Sequence, residues 1–163
     1  MDRVQRRAAL LLFAAAGGIY LVDRSTKVWA ERALPGDPID VIPRVLTLRF
    51  TTNSGGAFSL GQSAPWLFVG ATIIVSGAIV VTAFRHRNLL SALALGLILG
   101  GALGNLTDRI VRGPGLSGHV VDFVDLHVWP IFNVADTAIV VGAILLAIST
   151  RMDRSSTQAT DRA

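Results

Sequence analysis

Apolar residues run in long stretches along this chain, and polar residues gather between them. Ala8 to Val22 holds no charge, and the apolar run resumes to Ala30 past Asp23, Arg24 and Lys27. Further stretches cover Pro65 to Phe84, the segment from Asn88 to Thr107, and Trp129 to Thr150, which has one charge inside it, Asp136. A bilayer core of ~30 Å is crossed by about 20 mostly apolar residues in helical form. The pattern predicts an α-helical membrane protein with four transmembrane helices, at 8–30, 65–84, 88–107 and 129–150.

A different period governs the segment between the first two spans. Leu46, Leu48 and Phe50 alternate with Thr47, Arg49 and Thr51, the signature of a half-buried strand. Pro35, Gly36, Pro38 and Pro43 punctuate the approach to it, so a small extracytoplasmic β-structure is expected over residues 39–58. In the third span Gly96, Gly100 and Gly104 recur every four residues and line one helix face, a spacing that lets membrane helices approach closely. No strand or phosphate-loop lysine accompanies them, which argues against a phosphate cradle. Residues 151–163, rich in Ser, Thr and charge, are expected to form a disordered tail, leaving residues 1–150 as a single domain.

Composition sharpens this picture. Of 163 residues, 52% are hydrophobic and only 16% charged, with a mean hydropathy of +0.56. Soluble domains carry about 25% charged residues, so soluble enzymes are disfavoured. The net charge of +4 is scattered in short groups rather than clustered on one face, which also disfavours a nucleic-acid partner. There is no cysteine, excluding disulfides, thiolate nucleophiles and cysteine-ligated zinc.

The charges instead report topology. Arg3, Arg6 and Arg7, the turn with Arg85 and Arg87, and the tail with Arg151, Arg154 and Arg162 together hold eight cations against three acids, whereas the rest of the chain holds seven against eight. Cytoplasmic loops are the richer in Lys and Arg. Both termini and the 85–87 turn are therefore expected in the cytoplasm, with residues 31–64 and 108–128 outside. The basic start followed by an apolar run also describes a cleavable signal peptide. Asp23 and Lys27, one helical turn apart, are unusual cargo for a discarded segment.

Carboxylates at membrane depth are costly and mark functional sites by default. Asp136 lies just inside the fourth span, and Asp122 sits among apolar residues on the return loop before it. If the loop dips into the bilayer edge, both converge on one pocket near the outer face. Two carboxylates in a poorly solvated site tend to share one proton. Such a pair can activate water with one member and polarise a peptide carbonyl with the other. Asn53, Asn105, Arg109 and Asn133 fall at the same outer helix ends, and Asp23 and Lys27 are spaced for an i,i+4 pair that shapes the bundle.

Five segments together resemble the type II, or lipoprotein, signal peptidases of bacteria. They are Asp23-Arg24-Ser25-Thr26-Lys27, Asn53-Ser54-Gly55-Gly56-Ala57-Phe58, Gly101 to Arg109, Val121-Asp122-Phe123, and Phe132-Asn133-Val134-Ala135-Asp136. The resemblance spans nearly the whole chain. It implies an intramembrane aspartyl endopeptidase that cleaves diacylglyceryl-modified prolipoproteins on the N-terminal side of the lipidated cysteine. It further implies Asp122 and Asp136 as the catalytic pair, with Asn53, Gly56, Asn105, Arg109 and Asn133 at the substrate and Asp23 and Lys27 as structural support. Neither cofactor nor metal is expected. The partners are prolipoproteins and membrane lipids, and the setting is the bacterial inner membrane, as a monomer. The family's mobile outer helix would fall on the loop before Asp122. Gly56 stands where alanine is common, and Gly113 to Gly118 adds a glycine-bearing insert to that loop.

Two other readings use the same residues. A proton-coupled transporter would cycle protons on Asp136, but it should show paired halves or midplane helix breaks. A metallopeptidase would draw on His119, Asp122, Asp125 and His127, without the helical His-Glu-x-x-His signature and with Asp136 unexplained.

Overall fold

The computed structural model describes residues 1–54, 65–86, 88–114 and 118–160, the side chains of 65, 67–68 and 153–160 excepted. Four helices carry the chain: α1 (Arg3–Ala33), α2 (Pro65–Thr82), α3 (Leu89–Val111) and α4 (Val134–Thr160). A three-stranded antiparallel sheet is built from β1 (Ile39–Ile42), β2 (Leu46–Asn53) and β3 (Val120–Asp125), in the order β1-β2-β3. Among the described residues α1, α3 and the Val134–Met152 part of α4 are long and apolar enough to cross a membrane, and α2 with the 3-10 turn Ala83–Arg85 after it supplies a shorter apolar run from Val69 to Arg85.

Local chemistry explains where these helices start. Asp2 and Gln5 exchange side-chain and backbone hydrogen bonds at the start of α1, a capping box. The Asn88 side chain accepts from the backbone of Leu90 and Ser91 at the start of α3. α3 continues to Val111, beyond the expected 107, so Asn105, Asp108, Arg109 and Arg112 form one continuous polar stripe at its end. α4 begins at Val134 rather than near 129, because Phe132 pairs with Val124 of β3 and keeps that segment extended. It also runs past 150 to Thr160, where the expected tail contains no glycine or proline to stop it.

α3 is the central helix, and its glycines explain why. A Cβ on Gly96 or Gly100 would lie 2.5 Å from the backbone oxygens of Leu12 or Ala16 on α1, and one on Gly101 would collide with the Ala135 carbonyl on α4. Only bare backbone permits both approaches. Leu12, Ala16, Ile79, Ala92 and Leu99 fill the core at this crossing.

The sheet sits at the end of α1. Leu48 and Phe50 of β2 and Val121 and Phe123 of β3 pack with Ala30 and Leu34, and Trp29 meets Phe123 edge-on at 6.3 Å. The period-two reading of β2 thus finds its apolar face. β3 was expected as a loop. It is a strand because Val120-Val121-Asp122-Phe123-Val124 pairs with β2, aligning Asp122 with Thr51 and Val120 with Asn53. Before it, Arg112–Pro114 and Gly118–His119 are non-helical, and residues 115–117 lie outside the described part, as does position 56.

Candidate active site

β3 delivers one carboxylate and the first turn of α4 the other. On β3, Val121 and Phe123 join the apolar cluster while Asp122, 2% exposed, turns toward a cavity. Its Oδ1 accepts from Asn133 Nδ2 at 2.6 Å and its Oδ2 from Asn53 Nδ2 at 3.2 Å. Burial, and then the neighbouring charge of Asp136, push its carboxyl up to about 7 against the opposing pull of these two amides.

Asp136 owes its position to helix capping. Asn133 Oδ1 accepts the Asp136 N–H at 2.9 Å, and Asp136 Oδ2 accepts the Asn133 N–H at 3.3 Å. This reciprocal pair is a capping box, so the start of α4 orients Asp136 as part of forming the helix. Its Oδ1 accepts from Asn105 Nδ2 of α3 at 2.8 Å. Asn133, fully buried, bridges the acids, since its amide also reaches Asn105 Oδ1 and the Val121 carbonyl, each at 3.2 Å.

The cavity, about 320 Å³, has Asn53, Asn105, Arg109, Asp122 and Asp136 at its polar end and Trp129, Ile131, Phe132, Ile139 and Val140 along an apolar wall. A pocket with a greasy flank and a few convergent polar groups is the usual form of a binding site. Arg109 lies at its edge, where Nη1 donates to the carbonyls of Ser54 at 3.4 Å and Gly118 at 3.3 Å. It therefore ties Ser54, just after β2, to Gly118, just before β3.

Beneath the cavity lies a cluster of ions only partly visible in the sequence. Lys27 pairs with Asp23 as its i,i+4 spacing predicts, at 2.8 Å, and also with Asp108 at 3.0 Å, all three side chains being fully buried. Asp108 is further held by Arg24 and by Arg112, which reaches Glu31 as well. Sequence reasoning passed over Asp108, Arg24, Glu31 and Arg112. The available signal was Asp108 and Arg112 at i,i+4, on the same helical stripe as Asn105.

The metal-ligand reading fails on strand alternation. Asp125 faces Arg49 at 2.8 Å, and His127 Nε2 lies 2.9 Å from Thr47 Oγ1, on the side of the sheet away from Asp122. Among the described residues no three His, Asp or Glu side chains gather at one point.

The family model for signal peptidase (SPase) II matches residues 15–152. The chain belongs to the signal peptidase II family. As a member it is a protease, and the membrane helices and five sequence segments fit that assignment. It is 47% identical over 151 residues to a lipoprotein signal peptidase of Rhodococcus jostii (strain RHA1), covering 90% of this chain and 74% of that one. A lipoprotein signal peptidase of Mycobacterium avium (strain 104) is 46% identical over 152 residues, covering 90% and 81%. A bacterial membrane enzyme solved at 2.3 Å by the in meso method superposes with a TM-score of 0.79 at 32% identity, covering 89% of this chain and 90% of that one.

Proposed function

We propose that this signal peptidase II family member is an aspartyl endopeptidase of the bacterial inner membrane, cleaving diacylglyceryl-modified prolipoproteins on the N-terminal side of the lipidated cysteine. The single observation that carries this reading is the meeting of Asp122 and Asp136 at one cavity, bridged by Asn133. With its carboxyl raised to about 7, Asp122 can take part in holding one proton between the two acids at neutral pH. The ionised member takes a proton from water as it attacks the scissile carbonyl. The protonated member donates to the carbonyl oxygen. Collapse of the resulting gem-diol passes a proton to the departing amine, and the pair returns to one shared proton.

The surroundings suit such a substrate. Peptide backbone brought to a poorly hydrated site needs donors and acceptors, which the amides of Asn53, Asn105 and Asn133 can exchange for their present partners. Acyl chains can lie along Trp129, Ile139 and Val140. In this reading four helices span the membrane, the termini are cytoplasmic, the dyad lies near the outer face, and the monomer suffices because every named group comes from one chain.

Purified protein given the same prolipoprotein with and without its diacylglyceryl group tests the proposal. Cleavage of the lipidated form alone, before its cysteine, is the expected result. Equal cleavage of both, or cleavage elsewhere, would overturn it.

A further inference from the structure

Lys27 is fully buried on α1, and its ammonium donates to Asn105 Oδ1 at 2.8 Å and is ion-paired with Asp23 Oδ2 at 2.8 Å and Asp108 Oδ2 at 3.0 Å. Each partner leads to the dyad. Asp23 Oδ1 accepts the backbone N–H of Ala135 at 3.0 Å, the residue directly before Asp136. Asp108 Oδ2 accepts the N–H of Val121 at 3.2 Å, the residue directly before Asp122. Asn105, its oxygen held on the ammonium, must turn its Nδ2 toward Asp136, because a flipped amide would set its NH₂ against Lys27.

We infer that Lys27 is the positioning residue of the dyad, clamping through Asp23, Asp108 and Asn105 the strand and helix that carry Asp122 and Asp136. The inference rests on the dyad reading above. Stability alone accounts poorly for the cluster, since replacing buried ion pairs by apolar groups is often neutral or stabilising. Gly104 serves the same arrangement, because a Cβ there would collide with the Asp23 carboxylate. The charged groups around the ammonium are Asp23 on α1, Asp108 with its partners Arg24 and Arg112, Asp122 on β3 and Asp136 on α4. The positive charge of Lys27 also draws the Asp122 carboxyl downward, against burial and Asp136.

The test compares Lys27→Met with the charge-balanced pair Lys27→Met/Asp23→Asn, in which Asn can still accept from Ala135. Cleavage of a diacylglyceryl-modified peptide gives kcat and KM against pH, and thermal unfolding in detergent reports the fold. Loss of positioning should lower kcat about 10²-fold in both, with KM little changed; in Lys27→Met, where the positive charge is lost unopposed, the acid limb of the kcat profile should also move to higher pH. Where Lys27→Met alone does not fold, the balanced pair carries the test. Wild-type kcat in the balanced pair, or a change confined to KM, would overturn the clamp. Asp122→Asn and Asp136→Asn run beside them. If these are inactive while the balanced pair is fully active, only the clamp falls; if these cleave at the wild-type rate, the dyad reading falls and takes the clamp with it.

Discussion

Replacing Asp122 by Asn keeps the size of the side chain and removes its proton exchange. Cleavage should fall by about 10²–10⁴-fold, the usual worth of a general acid-base group, and Asp136→Asn should do the same, as initial rates on a lipidated peptide will show. The Asp122 carboxyl also couples to folding. It is raised from 3.8 to about 7 in the folded chain, so the folded state binds this proton more tightly than the unfolded one. Its contribution to stability is fully present below pH about 4 and is lost as pH rises through about 7. The stability of Asp122→Asn relative to wild type should therefore rise between those values, and unfolding in detergent at a series of pH values measures it. A flat difference would remove the assigned shift. Asn133 separates capping from chemistry. Asn133→Ser keeps a good helix cap but loses the Nδ2 donor to Asp122, Asn105 and the Val121 carbonyl, so the cap's share of stability should be kept while cleavage falls. Asn133→Ala should lose both, about 1 kcal/mol of it from the cap.

The α1–α3 crossing depends on backbone meeting backbone. Gly104→Ala would drive a methyl group into the Asp23 carboxylate, and overpacking of this kind costs about 1–3 kcal/mol. Gly77→Ala on α2 meets nothing within 4 Å and should instead stabilise its helix by about 0.5–1 kcal/mol. Unfolding midpoints of the two variants should move in opposite directions. The glycine spacing announced this crossing because the period of four fixes a face regardless of partner. β3 gave no such signal. Its residues alternate against β2 on one side and the apolar cluster on the other, so Val120-Val121-Asp122-Phe123-Val124 reads as a short greasy run, and its identity depends on a pairing 69 residues away in sequence, as between Asn53 and Asp122. Asp136 and Asn133 were legible because polar groups stand out within an apolar span. Asp108 was not, because a charge at a helix end looks solvated until α1 and β3 are known to cover it.

Charge asymmetry makes a prediction for the entire chain. Tags at the N terminus, beside Arg85 and after Arg151 should report the cytoplasm, and one near Gly36 the opposite side, as the basic bias of the first three demands. Labelling by membrane-impermeant reagents in intact cells checks this, and an outer tail would refute it. The four helices could be located from hydropathy alone, whereas their packing order, with α3 between α1 and α4, could not. That order bears on how such a molecule comes into being. The bond from Ala135 to Asp23 joins residues 112 positions apart, and Asp136 rides on α4, which follows α1, α2 and α3 in synthesis. A ribosome-bound chain holding α1 to α3 carries Asn53 and Asn105 but not yet Asp136. On the proposed dyad, a chain synthesised only as far as α3 should therefore not cleave, and activity should begin when α4 docks against α1 and α3.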